Sequence, residues 1–202
     1  MELRNLIDVH LDLARLSKDL DEVGHFARLW SVTRWSREDQ AKVFEAAKGF
    51  RPVTLQDFVP PSAPPHVEVT HQGKNSLPTA TRFEKHFFRP TQPDAGDVLF
   101  GRNFQLLSPL SGPGFYVAHP SEEAGEVHFD YTETPKETLP TWGAVRPNDG
   151  VISQFVYKDM VDVMRGVSSH VTIGRIRRRA QFIDNWFVLV REDLARDAGA
   201  AS

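Results

Sequence analysis

Apolar positions along the chain fall into two regimes. Near the start, Leu3, Leu6, Ile7, Leu11, Leu13, Ala14 and Leu20 recur at helical spacing, which predicts a helix from Glu2 to about Leu20. Val23, Phe26, Ala27 and Trp30 continue the pattern, and the acidic residues Asp19, Asp21 and Glu22 place a break near Ser17–Asp21. Ser36 ahead of Arg37-Glu38-Asp39-Gln40 reads as a near capping box, and Gly49 closes the short helix that it opens.

Beyond the first third, alternation takes over. His66 to His71 reads as a short edge strand, Gly73 and Asn75 as a turn, and Thr79 to Phe88 as one more helix. Phe100 to Leu110 and Phe115 to His119 are β-rich runs flanking the turn signal Ser111-Gly112-Pro113-Gly114. From Glu126 to Thr132 the alternation is strict: Val127, Phe129 and Tyr131 share one face, Glu126, His128 and Asp130 the other.

Thr134 to Asn148 is punctuated by Pro135, Pro140 and Pro147 and reads as a loop. Asp149 then caps the best-marked helix, with Ile152, Phe155, Val156, Met160, Val163 and Met164 as its stripe and Gly166 at its end. Val171–Arg178 and Asn185–Arg191 follow as strands joined through Gln181–Asp184. Trp186 to Val190 is apolar on both faces, which predicts a strand covered on each side.

Between the two regimes, residues 51–65 hold Pro52, Pro60, Pro61, Pro64 and Pro65. Val53, Leu55, Phe58 and Val59 make this stretch too apolar for a free tether, so it is expected to be strapped across the surface.

Together these elements predict one α+β domain over residues 1–202: a helical segment (1–50), a Pro-rich crossing (51–65) and a sheet-plus-helix core (66–194). The expected sheet is antiparallel, with about four to six strands. The C-terminal half runs β-β-α-β-β around the Asp149–Gly166 helix.

Composition narrows the chemistry. The chain has no cysteine, which excludes disulfide scaffolds, thiolate metal sites and a cysteine nucleophile. A formal charge of −3 gives no global pull toward nucleic acid, so no nucleic-acid partner is expected. No apolar run is long enough for a membrane helix and no secretory leader is evident, so the expected location is cytoplasmic. No motif names a cofactor, a metal or an oligomeric state.

Three clusters of residues carry the candidate chemistry. Glu126, His128 and Asp130 sit on one strand face about 7 Å apart, a row able to act as an acid–base or hard-metal site, or simply to meet solvent. Arg175, Arg177 and Arg179 alternate on another strand, where Arg175 and Arg177 can grip an acidic headgroup or pair with cross-strand acids. The aromatic residues, among them Tyr131, Phe155 and Trp186, can wall a ligand pocket or form a plain core.

Three functions follow as expectations. One is a binding protein for an apolar or amphipathic small molecule held between the sheet and the Asp149–Gly166 helix, lined by Tyr131, Phe155 and Trp186. A second is an enzyme acting through His128, Glu126 and Asp130. A third is an adaptor docking through its N-terminal helices.

Overall fold

The computed structural model describes residues 7, 11–79, 81–92, 96–104, 114–123, 125–145 and 157–194. Three short helices open the described chain: α1 (Leu13–Glu22), α2 (His25–Val32) and α3 (Arg37–Ala46). Asp12 caps α1 by accepting from Arg15 N at 3.0 Å. Ser36 and Asp39 cap α3 reciprocally, each backbone N–H donating to the other side chain at 2.7 and 3.1 Å. The break between α1 and α2 falls at Val23–Gly24, just beyond the acidic residues. A single helical turn, α4 (Leu55–Phe58), follows in the Pro-rich stretch.

Eight strands follow, with a 3-10 turn at Pro140–Trp142 between the fifth and sixth: β1 (Val69–Asn75), β2 (Arg82–Phe88), β3 (Leu99–Phe104), β4 (Phe115–Pro120), β5 (Val127–Asp130), β6 (Met160–Gly166), β7 (Val171–Arg178) and β8 (Gln181–Arg191). Each pairs antiparallel with the next, and β1 pairs with β8, His71 opposite Arg191 and Asn75 opposite Phe187. The result is a closed eight-stranded barrel.

This overturns the α+β architecture expected from the sequence. Among the described residues, eight strands form a closed barrel, and no sheet of four to six strands lies under one long helix. Where the Asp149–Gly166 helix was expected, Met160–Gly166 is strand β6, and residues 149–156 lie outside the described residues. Strand β6 is a barrel wall buried on both faces along most of its length, so its apolar residues occur at helical as well as strand spacing. The expected helix over Thr79–Phe88 is strand β2, and the expected turn at Gly73 and Asn75 lies within β1. Gln181–Asp184 belong to β8, and the connection is a tight turn at Arg179 and Ala180, both at positive φ.

Interior glycines explain part of the misreading. A Cβ on Gly73 would lie 2.6 Å from the Phe83 ring, and one on Gly101 would lie 2.2 Å from the Tyr116 ring. These positions are vacant so that aromatic rings can fill a narrow lumen.

Two apolar layers flank the barrel wall. Outside, α1, α3 and the α2–α3 link place Leu16, Leu20, Trp35, Val43 and Phe44 over Val163, Ile173, Trp186, Val188 and Val190. Inside, Phe87, Tyr116, Phe129, Phe187 and Leu189 form the main core. Strand β8 is therefore covered on each side, as the run Trp186–Val190 predicts.

The Pro-rich stretch does more than cross the surface. Val53, Leu55, Phe58, Val59 and Ala63 belong to the interior core, and the fully buried Phe58 ring sits 5.0–5.5 Å from the rings of His71, Phe87 and Phe129. Arg89 ties the segment down by donating to the carbonyls of Ala63, Val59 and Pro60 at 2.9, 3.0 and 3.2 Å. This segment plugs one end of the barrel.

Candidate functional site

Away from the plug, the lumen holds a cavity of about 330 Å³. Its walls come from β1, β2, β3, β6, β7 and β8 and from residues next to them: Asn75, Leu77, Phe83, Asn103, Tyr131, Tyr157, Met160, Ile176, Arg178, Ile183, Asn185 and Phe187, with Lys85 and Asp162. Inward positions on paired strands bring the polar members together. His71 faces Lys85, Lys85 faces Asn103, and Phe129 faces Asp162 in the ladder.

Lys85 and Asp162 are each only 2% exposed, with Nζ 2.9 Å from Asp162 Oδ2. Lys85 Nζ also donates to Asn103 Oδ1 at 2.7 Å and to Tyr131 Oη. Tyr131 Oη in turn donates to Asp162 Oδ2 at 3.2 Å and accepts from Asn103 Nδ2 at 2.9 Å. Five aromatic rings, those of Phe83, Tyr116, Phe129, Tyr131 and Phe187, lie 4.8–5.7 Å from the ammonium.

Burial pulls the Lys85 pKa down, against the opposing pull of Asp162. Burial and the Asp162 charge push the Tyr131 and Tyr116 hydroxyls well above their ordinary range, so both stay protonated. One atom in the cluster is left over. Asp162 Oδ1 is buried and has no hydrogen-bond partner among the described residues.

An ion pair enclosed in an aromatic lumen is a poor stabilising device, because desolvation offsets most of the Coulomb gain. Its presence beside a cavity marks the site as a candidate for chemistry or recognition.

The residues named from the sequence distribute as follows. Tyr131 lines the cavity. Trp186 faces outward into the layer under the helices, where the guanidinium of Arg175 lies over it at 4.7 Å. Arg175 donates to the Ile183 carbonyl at 3.1 Å and pairs with Asp184 and Glu45 at 3.3 and 3.4 Å. Arg177 follows a register shift in β7 and lends its positive charge to the surroundings of His128. Phe155 lies outside the described residues.

Glu126 is buried and accepts from Arg165 Nε at 2.6 Å, an ion pair beneath α3, where Arg165 also donates to the Phe44 carbonyl. Burial and the Arg177 charge press the His128 pKa down to about 4, so the ring is neutral at neutral pH. Asp130 accepts from Thr132 N and Oγ1. His119, Asp130 and Glu133 place one ligand-type atom each within 4.8 Å of one another on the outer surface. The adaptor expectation has its own counterpart in α2, where Phe26 is 86% and Trp30 64% exposed.

Sequence reasoning missed Lys85, Asn103 and Asp162. A signal for Lys85 was present: it occupies the inward register of Phe83 and Phe87, but an inward charge looks like a broken alternation.

A second buried titratable group sits deeper, against the plug. His71 Nε2 donates to the Phe58 carbonyl at 3.0 Å, and burial holds its pKa down at about 3. An unfolded histidine titrates near 6.5, so between these values the unfolded chain binds a proton that the folded chain refuses. This contribution leaves stability intact above about pH 6.5 and erodes it as pH falls toward 3, by up to about 1.4 kcal/mol per pH unit. Denaturant unfolding across pH 4–7 should show a shallower acid slope in His71→Leu than in the parent; equal slopes would mean that His71 is protonated in the fold.

Comparison with protein families, characterised proteins and solved structures finds no match. The functional reading therefore rests on the barrel and its interior. Among the described residues, no helix is long and apolar enough to cross a membrane.

Proposed function

We propose that this barrel binds a small, largely apolar molecule in its lumen, with a hydrogen-bond donor of the ligand reaching Asp162. Eight strands enclose a space that side chains can just fill or that one small ligand can occupy. Here the plug side is filled by aromatic rings, and the other side keeps a cavity of about 330 Å³. That volume is at the lower end for ligand sites.

The observation that carries this reading is Asp162, a residue of the cavity wall whose buried Oδ1 has no hydrogen-bond partner among the described residues. Leaving such an acceptor unmatched costs about 1–3 kcal/mol, a loss that a donor on a ligand recovers. The apolar remainder of the ligand meets Phe83, Tyr157, Met160, Ile176 and Phe187. In this reading the polar anchor is the Lys85–Asp162 cluster, inside the barrel, in place of Arg175 or Arg177.

Native mass spectrometry of the full chain purified from cells should reveal a noncovalent adduct of defined mass. Ile176→Trp, which fills the cavity from β7, should remove that adduct while the chain stays folded. A bare parent chain, or an adduct that survives Ile176→Trp, would count against the lumen as the binding site.

A further inference from the structure

The chain has seven lysines, and Lys85 is the only one buried. Its amine lies at the cavity wall and is held in place by Asn103, Tyr131 and Asp162. A lysine in that position does more than complete an ion pair. Building on the binding reading above, we propose that Lys85 captures a small aromatic or unsaturated aldehyde as an imine inside the barrel, with Asp162 as its counter-ion.

The surroundings supply each requirement of the reaction. The amine must shed a proton before it can attack, and Asp162 Oδ2, 2.9 Å away, is the base within reach. Burial, which lowers the lysine's hold on that proton, works in the same direction. Attack of the nitrogen on the carbonyl carbon forms the C–N bond and moves the C=O pair onto oxygen.

That oxygen takes up a proton to give the carbinolamine hydroxyl. The Tyr131 hydroxyl, which donates to Asp162 Oδ2 at 3.2 Å, and the protonated Asp162 are the groups placed to deliver it. The attack leaves the nitrogen positively charged, so it first returns one of its two protons to Asp162 Oδ2; the lone pair so freed expels the hydroxyl, which that proton converts to water. Overall, the ammonium and the aldehyde become a protonated imine and water, with no change in oxidation state. The positive charge stays at position 85, so Asp162 keeps its partner in the product.

Ligand selectivity follows from the walls. Tyr131 and Tyr157 stack face to face at 5.1 Å with 7° between their planes, and Phe83 and Phe187 meet edge to face at 5.8 Å. Such walls suit a flat unsaturated carbon skeleton. Conjugation also stabilises the protonated imine through delocalisation, and the five rings around Nζ favour its cationic form.

The test uses trans-cinnamaldehyde as the probe, with the intact full chain at neutral pH and sodium cyanoborohydride to fix any imine as a secondary amine. Peptide mapping should locate the reduced adduct at Lys85, formed faster than at any surface lysine, since burial lowers the hold of this amine on its proton. Lys85→Met combined with Asp162→Leu, which leaves no charge buried alone, should lose the fast adduct.

If cinnamaldehyde raises the melting temperature of the parent but not of Ile176→Trp, while Lys85 stays unmodified, the lumen binds but the imine proposal fails. Labelling confined to surface lysines with no shift in melting would overturn the imine proposal and tell against the cavity reading as well.

Discussion

Asp162→Ala is expected to destabilise the protein by about 3–5 kcal/mol, whereas Lys85→Met combined with Asp162→Leu should change its stability little. Removing the carboxylate alone leaves an ammonium among aromatic rings with no counter-charge, and Asn103 and Tyr131 offer it only dipoles. The double replacement removes both desolvation costs and fills similar volume with apolar atoms. Urea unfolding of the two variants beside the parent measures the contrast.

The loss in Asp162→Ala should also shrink as pH rises toward 10. The buried amine gives up its proton first, and the unfolded chain follows near its ordinary pKa. A single variant within about 1 kcal/mol of the parent would mean that water already solvates the cluster, and the cavity argument would fall with it.

Phe58→Ala should rank close behind, with a loss of about 3–5 kcal/mol. The ring is fully buried, and its contacts with His71, Phe87 and Phe129 join the α4 plug to β1, β2 and β5. Truncation would leave a void between three aromatic groups anchored on separate strands, so the surroundings cannot easily collapse into it. Phe58→Leu, which keeps most of the volume, should lose much less. Thermal and denaturant unfolding check the order; a loss below about 1 kcal/mol for the alanine variant would show that the plug is not seated as described.

Sequence patterning carried part of this fold. The two-residue period of Val127, Phe129 and Tyr131 corresponds to β5, and the two-sided apolar run Trp186–Val190 to a strand buried between layers. The Ser36 cap marks α3 where it begins. The errors share a physical cause, because a closed barrel puts unusual residues on inward positions.

Lys85 between Phe83 and Phe87 made β2 look irregular, and Asp162 did the same to β6. Gly73, small so that Phe83 can lie across it, read as a turn. Closure itself depends on register between distant strands, which no local window contains. Tyr131 belongs to the aromatic face that alternation marks in the sequence, but its polar partners were hidden because local pattern breaks at the places where the interior is not simply apolar.

The pairing of β1 with β8 has a consequence for how the chain acquires its structure. His71–Asn75 and Phe187–Arg191 are separated by more than a hundred residues, yet they form one ladder. Until the last strand is in place, β1 and β7 each present a row of unsatisfied backbone groups able to pair with another chain. Closing so long a loop carries a large entropic cost before any contact rewards it, which makes this a slow, high-contact-order folder. During synthesis, the nascent barrel keeps both edges exposed until its final strand emerges. Aggregation is therefore a hazard of the growing chain more than of the finished one.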